Sequence, residues 1–124
     1  MLDATAKSVL EDCEVVAIAT QGPDGPHLVA TWGDYVRRLG IGDCLLIPVG
    51  TLRTTEENLR RDPRVVLLAG SLRVPGRAGP GQGVRLTGPG RIVTAGADAE
   101  RVRQAFPWAR GALAVQVTQV ETLL

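Results

Sequence analysis

The residues best suited to chemistry lie between Pro48 and Asn58. A β-rich run, Cys44-Leu45-Leu46-Ile47-Pro48-Val49, ends in Gly50, and Thr54 with Glu57 three residues on has the form of a capping box that starts a helix. A helix start presents free N–H groups and a positive dipole end, which together attract anions. The hydroxyls of Thr51, Thr54 and Thr55 and the guanidinium of Arg53 stand beside it. Such a set could hold a phosphate monoester, and it equally fits an ordinary capped helix. The segment Thr31-Trp32-Gly33-Asp34-Tyr35 supplies a second piece, two aromatics three apart on an expected strand with a glycine between them. A flat conjugated ligand needs aromatic contact and close backbone approach, though core aromatics would read the same way.

Other constellations are poorer. His27 is the sole histidine, and neither Ser8 nor Ser71 stands in a nucleophile-elbow context, so a catalytic triad lacks its parts. Glu56 and Glu57 are neighbours at a helix start, where acidic residues complement the macrodipole. The glycines from Gly76 to Gly83 lack the Lys-Ser/Thr ending of a phosphate-binding loop, and a strand follows where a helix should. They read as a mobile loop.

The elements that must position these residues follow from periodicity and turn chemistry. Ala6, Val9, Leu10 and Cys13 repeat at helical spacing and predict a short helix over residues 3 to 12. Val15 to Thr20 is a strand stopped by Gly22-Pro23-Asp24-Gly25, and a second strand from His27 to about Val36 completes a hairpin. Strands are expected at 44 to 49, 65 to 69, 84 to 93 and 112 to 120, with helices from Thr54 to near Asp62 and over 97 to 106, and a long loop at 73 to 83. Six strands in hairpins with a few short helices predict a mainly β fold, a closed antiparallel barrel in one domain spanning 1 to 124.

Composition narrows the classes of function. The 124 residues are 44% hydrophobic and 22% charged, the balance of a globular chain. Fourteen basic against thirteen acidic residues, with 3% aromatics, argue against nucleic acid, which rewards a basic excess and stacking platforms. Cys13 and Cys44 form no CxxC pair, are expected reduced and half-buried, and with one histidine cannot make a zinc set. No apolar run approaches the roughly 20 residues of a membrane helix. The first residues have no basic region leading into an apolar core, so a cytoplasmic protein is expected.

One resemblance draws these pieces together. Val15 to Gly22, Asp24 to Val29, Thr31-Trp32 and Tyr35 resemble the small FMN-binding proteins of the split-barrel flavoprotein superfamily, which also contains pyridoxamine phosphate oxidase. The likeness continues through Pro48-Val49-Gly50, Thr55-Glu56, Asn58, Gly70-Ser71, Gly76-Arg77, Gly79-Pro80-Gly81 with Gly83, Trp108-Ala109-Arg110 and Thr122-Leu123-Leu124. It implies a homodimeric, six-stranded split β-barrel with one FMN per subunit near the dimer interface. Thr31 and Trp32 would then lie along the flavin with Tyr35 close by, and Val49, Gly50 and Thr51 would border the ring. Thr55 would meet the phosphate, and Trp108 and Leu124 would come from the partner subunit.

The chain departs from that pattern in places. Thr54 stands where similar proteins place a lysine, Thr51 where a second glycine is usual, and Ala30 where a polar residue is usual. A lost charged hydrogen bond to phosphate costs about 1.5–3 kcal/mol, which Arg53 one residue earlier would offset. The resemblance implies an electron-transfer flavoprotein with an unidentified redox partner. The alternatives are an enzyme like pyridoxamine phosphate oxidase or flavin reductase, and a carrier of a different ligand on the same barrel. The apolar tail Val120-Glu121-Thr122-Leu123-Leu124 favours docking on a second copy.

Overall fold

A computed structural model describes residues 1–124. Helix α1 (Ala4–Asp12) starts where the Asp3 carboxylate accepts from the Ala6 N–H at 2.8 Å, and it buries Ala6, Val9 and Leu10. Strands β1 (Val15–Gly22) and β2 (Gly25–Trp32) form the expected hairpin, closed by Gly25 at φ 131°. The strand expected to run on to Val36 instead stops at Trp32, and Gly33–Leu39 is helix α2. Tyr35 is therefore on a helix, not beside Trp32 on a strand. The cause is visible in burial: Gly33, Val36 and Leu39 face inward at a spacing of three. A Cβ on Gly33 would fall 2.1 Å from the Cys13 carbonyl oxygen, so only glycine lets the chain turn there. Arg37 locks the turn by donating to the carbonyls of Leu10 (3.0 Å) and Cys13 (2.7 Å), at the open end of α1.

The remaining elements are β3 (Cys44–Val49), α3 (Arg53–Arg61), β4 (Arg64–Pro75), β5 (Pro80–Val93), α4 (Ala97–Ala105), β6 (Gly111–Gln116) and β7 (Gln119–Thr122). Two expectations change here. The long loop at 73 to 83 is mostly strand, because β4 and β5 stay paired through Ser71↔Gln82 and meet again at Pro75↔Pro80. The last strand is two strands, which makes seven in place of six. Main-chain approach breaks it, since the Gln116 carbonyl oxygen lies 1.8 Å from where a Gly88 Cβ would sit. Past that point Thr118 donates to the Thr87 carbonyl at 2.8 Å, and β7 pairs with β5.

All pairings are antiparallel, in the order β2-β1-β4-β5-β6-β3, with β7 added on β5. The long β5 joins the two halves, pairing β4 through residues such as Leu86 and β6 through Gly90 to Val93. One core of 20 buried residues takes side chains from β1, β3, β4, β5, β6 and α1, so the sheet wraps around it while β2 and β3 remain unpaired edges. A smaller cluster of seven, including Leu39, Leu46, Val102 and Phe106, seats α2 and α4 on the outer face of β3 and β6. No such cover lies over β2, β1 and β4. Their register sets Trp32 opposite Val15, and Ala17 opposite both Ala30 and Leu68. Leu28, Trp32, Leu68 and Leu72 stand exposed there.

Both cysteines are free, but neither is half-buried: Cys13 is in the core and Cys44 is exposed. No helix is long and apolar enough to cross a membrane, and no group of His, Cys, Asp or Glu could hold a metal ion.

Replacing Gly33 with alanine would drive a methyl group into main chain that cannot yield. The expected loss is about 1–3 kcal/mol of stability, read as a lowered urea midpoint. An unchanged midpoint would show that the turn tolerates a side chain.

Candidate functional site

Strand β3 ends on buried Val49, and the chain turns through Gly50, Thr51 and Leu52 into α3. Leu52 occupies the N-cap position at φ 43°, ψ 38°, and it is the sole residue other than glycine with positive φ. Its aliphatic side chain caps nothing. The expected capping box is not formed, because α3 starts at Arg53 and Thr54 lies inside its first turn. Glu56 makes the first intrahelical bond, to the Leu52 carbonyl at 2.9 Å. The N–H groups of Arg53, Thr54 and Thr55 are left to an outside acceptor.

Thr55 sharpens this picture. It is fully buried, and its hydroxyl has no hydrogen-bond partner. Burial of an unsatisfied hydroxyl costs about 1–3 kcal/mol, and it is the one such side-chain atom in the protein.

Charge around the turn is unbalanced. The Glu56 carboxylate is approached by Arg110 at 3.1 Å, Arg60 at 3.6 Å and Arg53 at 3.7 Å. Three guanidiniums on one carboxylate leave an excess of positive charge beside the helix start. The Arg53 and Arg60 side chains are largely exposed, whereas Arg110 is mostly buried.

Arg110 did not emerge as a site residue from the sequence, yet it builds the turn. Its Nε donates to the carbonyls of Gly50 (3.0 Å) and Thr51 (3.2 Å), and its terminal nitrogen donates to Thr51 (2.6 Å) and Glu56. Its own N–H bonds the Val49 carbonyl at 2.8 Å. A single arginine just before a strand carries no local signal of that reach. Asn58, also buried, anchors the other side of α3: it donates to the Thr20 hydroxyl at 3.1 Å and accepts from Arg61 at 2.7 Å.

Aromatic rings border the same turn. Tyr35, Phe106 and Trp108 form a cluster, with Tyr35 and Trp108 centroids 5.9 Å apart. The Trp108 ring edge lies 3.4 Å from where a Gly50 Cβ would stand, so glycine leaves the strand end bare beside the indole. Trp108 thus borders the strand end of its own chain. Val49, Gly50, Thr51, Arg53, Thr54, Thr55, Tyr35 and Trp108 form one neighbourhood.

Three expected residues lie elsewhere. Thr31 and Trp32 end β2, paired with Val16 and Val15 on the uncovered sheet. The main chain of Leu124 bonds to Gln82 and Arg77, on the β4–β5 hairpin, and to nothing in the Val49–Thr55 turn. His27 pairs with Thr20 in the β1–β2 register and bonds to neither serine; Ser71 instead donates to Asp12. The site can seat an anion and a flat ring side by side. It holds no nucleophile–base pair.

Residues 2–123 match a protein-family model described as pyridoxamine 5'-phosphate oxidase. A relative from Nitratidesulfovibrio vulgaris (strain Miyazaki F), named FMN-binding protein, is 45% identical over 124 residues, covering 100% of each chain. Among solved structures, a variant of HupZ from Group A Streptococcus superposes with a TM-score of 0.78 at 17% identity, over 99% of this chain and 100% of that one. Rv2991 from Mycobacterium tuberculosis gives 0.69 at 23% identity, over 98% and 84%. Identities that low speak for the fold alone, and it is the same antiparallel barrel. With a family match along nearly its whole length and a full-length relative at 45% identity, the chain belongs to the pyridoxamine 5'-phosphate oxidase family.

Proposed function

We propose that this chain binds FMN and transfers electrons through it as a homodimer. The observation that carries the reading is the buried, unpartnered Thr55 hydroxyl at the uncapped start of α3. A phosphate ester there would satisfy the hydroxyl and the free N–H groups together. The excess positive charge supplied by Arg53 and Arg60 favours a dianion and stands in for the lysine absent at Thr54.

The ring portion fits beside the phosphate. Val49, Gly50 and Thr51 would border the isoalloxazine, with Gly50 allowing main chain and ring to approach. Trp108 and Tyr35 would flank it. The 45% identical relative carries FMN in its name, which supports the same cofactor here. Bound FMN would supply the one- and two-electron chemistry that no side chain of the site offers. The protein's part is to bind, orient and shield it. Since the site lacks a positioned acid or base, electron transfer to a separate redox partner fits better than conversion of an organic substrate.

The uncovered face of β2, β1 and β4 supports the dimer. Val15, Ala17, Leu28, Ala30, Trp32 and Leu68 form a contiguous apolar surface, of the kind that marks a protein–protein contact. Trp32 belongs to this surface, whereas Thr31 points to the other side of the sheet, and Leu124 stands beside Leu68, so a second copy packed here would bring Trp32 and Leu124 toward the flavin.

The purified protein should show a two-band flavin spectrum and release a compound of FMN mass on heating. A colourless protein that stays colourless with added FMN would overturn the reading. Thr55→Val should weaken FMN binding roughly tenfold, the equivalent of one charge-assisted hydrogen bond. Stability of the flavin-free protein should hold or rise, since an unsatisfied hydroxyl is removed. A loss of stability without loss of affinity would place Thr55 in the fold and not in the site. Leu68→Glu should yield a folded monomer by sedimentation; a variant that stays dimeric would put the subunit contact on another face.

A further inference from the structure

Strand β5 carries one polar residue where its pattern calls for an apolar one. Gln82, Val84 and Leu86 alternate along the inward face, and Gln82 is 7% exposed. A carboxamide in such a position is costly unless bonded. Three bonds hold it, and two of them go to one residue. Oε1 accepts from the N–H of Leu124 and from that of Gly83, both at 2.9 Å, while Nε2 donates to the Leu124 main-chain oxygen at 2.8 Å.

The strand ladder explains why such a clamp is needed. The paired register of β7 ends at Val84↔Thr122, and beyond it Leu123 keeps a single bond to the Gly83 carbonyl at 2.9 Å. Chain ends past the last pair ordinarily fray. Here the Gln82 carboxamide continues the ladder by side chain, offering Leu124 an acceptor and a donor as a strand neighbour would. The N–H of Arg77 adds a second bond to the Leu124 oxygen, at 3.2 Å. The result is a fixed main chain with a bare side chain: Leu124 is 66% exposed, beside Val15, Ala17 and Leu68.

We propose that Gln82 is a positioning residue of the cofactor site, fixing Leu124 so that its side chain closes over the flavin held by the second subunit. The proposal rests on the FMN-dimer reading above. Gln82 touches no ring or phosphate itself and acts through Leu124 alone. That distinguishes it from a residue that merely supports the barrel.

The test is a double-mutant cycle on the flavin-loaded dimer, with FMN titration and iodide quenching of flavin fluorescence as readouts and sedimentation as a check on assembly. Gln82→Ala should weaken FMN binding roughly three- to tenfold, the span of one or two neutral hydrogen bonds, and make the flavin easier to quench. Gln82→Glu keeps the acceptor and loses the donor, and should act in the same direction; it also serves if the alanine variant does not fold. In a Leu124→Ala background neither substitution should have a further effect on the flavin. Wild-type protein that binds FMN while the Gln82 variants bind and quench unchanged would overturn this proposal alone. So would a Gln82 effect that persists in full without the Leu124 side chain. Wild-type protein that takes up no FMN would overturn the cofactor reading and this proposal with it.

Discussion

Arg110 reaches back from the start of β6 to two carbonyls in the turn after β3 and to the Glu56 carboxylate in the first turn of α3. Those three acceptors belong to segments that nothing else bonds together so closely. Just beyond those carbonyls the chain passes through Leu52 in the left-handed region, a conformation that costs a leucine of order 1–3 kcal/mol. The cap position then falls two residues before Thr54, and no side chain reaches the free N–H groups. The helix start is open because the cap position holds Leu52, whose side chain offers no acceptor. A serine or aspartate at position 52 would cap the helix and occupy the space an anion needs.

That dependence explains which parts of the site were legible in the sequence. The threonines, Arg53 and the glycine ending β3 are local, and their types announce an anion-binding turn. Arg110 acts across about sixty positions of sequence, and nothing in its neighbourhood declares the partners it finds. Thr54 misled because a capping box is defined by spacing, and spacing does not reveal that Leu52 takes the cap. Tyr35 was placed on a strand because Trp32, Tyr35 and Val36 all favour strands, while the helical spacing of Gly33, Val36 and Leu39 was outweighed. Tertiary contact decided it, through Arg37 and the Cys13 carbonyl.

The fold was clearer because hairpins are written in turn residues and alternation. The division of the last strand does leave a trace in the alternation, since Leu113, Val115 and Val117 keep step while Val120 falls out of phase. Close approach of main chain to Gly88 causes that break, and β7 gains its place on β5 as a consequence. The tail is thereby carried to the uncovered side of the sheet, where Gln82 fixes it. Gln82 falls in the stretch the sequence reads as a loop, so its inward place was not legible there, and its meaning depends on where the tail ends up.

The barrel has two outer faces, and they are finished differently. Helices α2 and α4 cover β3 and β6, and the aromatic cluster beside Gly50 belongs to that cover. The face of β2, β1 and β4 is left apolar, with the fixed Leu124 at one border and Trp32 at another. Leaving such a surface in water forfeits roughly 25 cal/mol for each Å² of apolar area. Association with a second copy, as proposed, would recover that energy, and Trp32 and Leu124 lie along the same surface. Subunit association and cofactor closure would thus draw on one set of side chains, so loss of either should weaken the other by the same free energy.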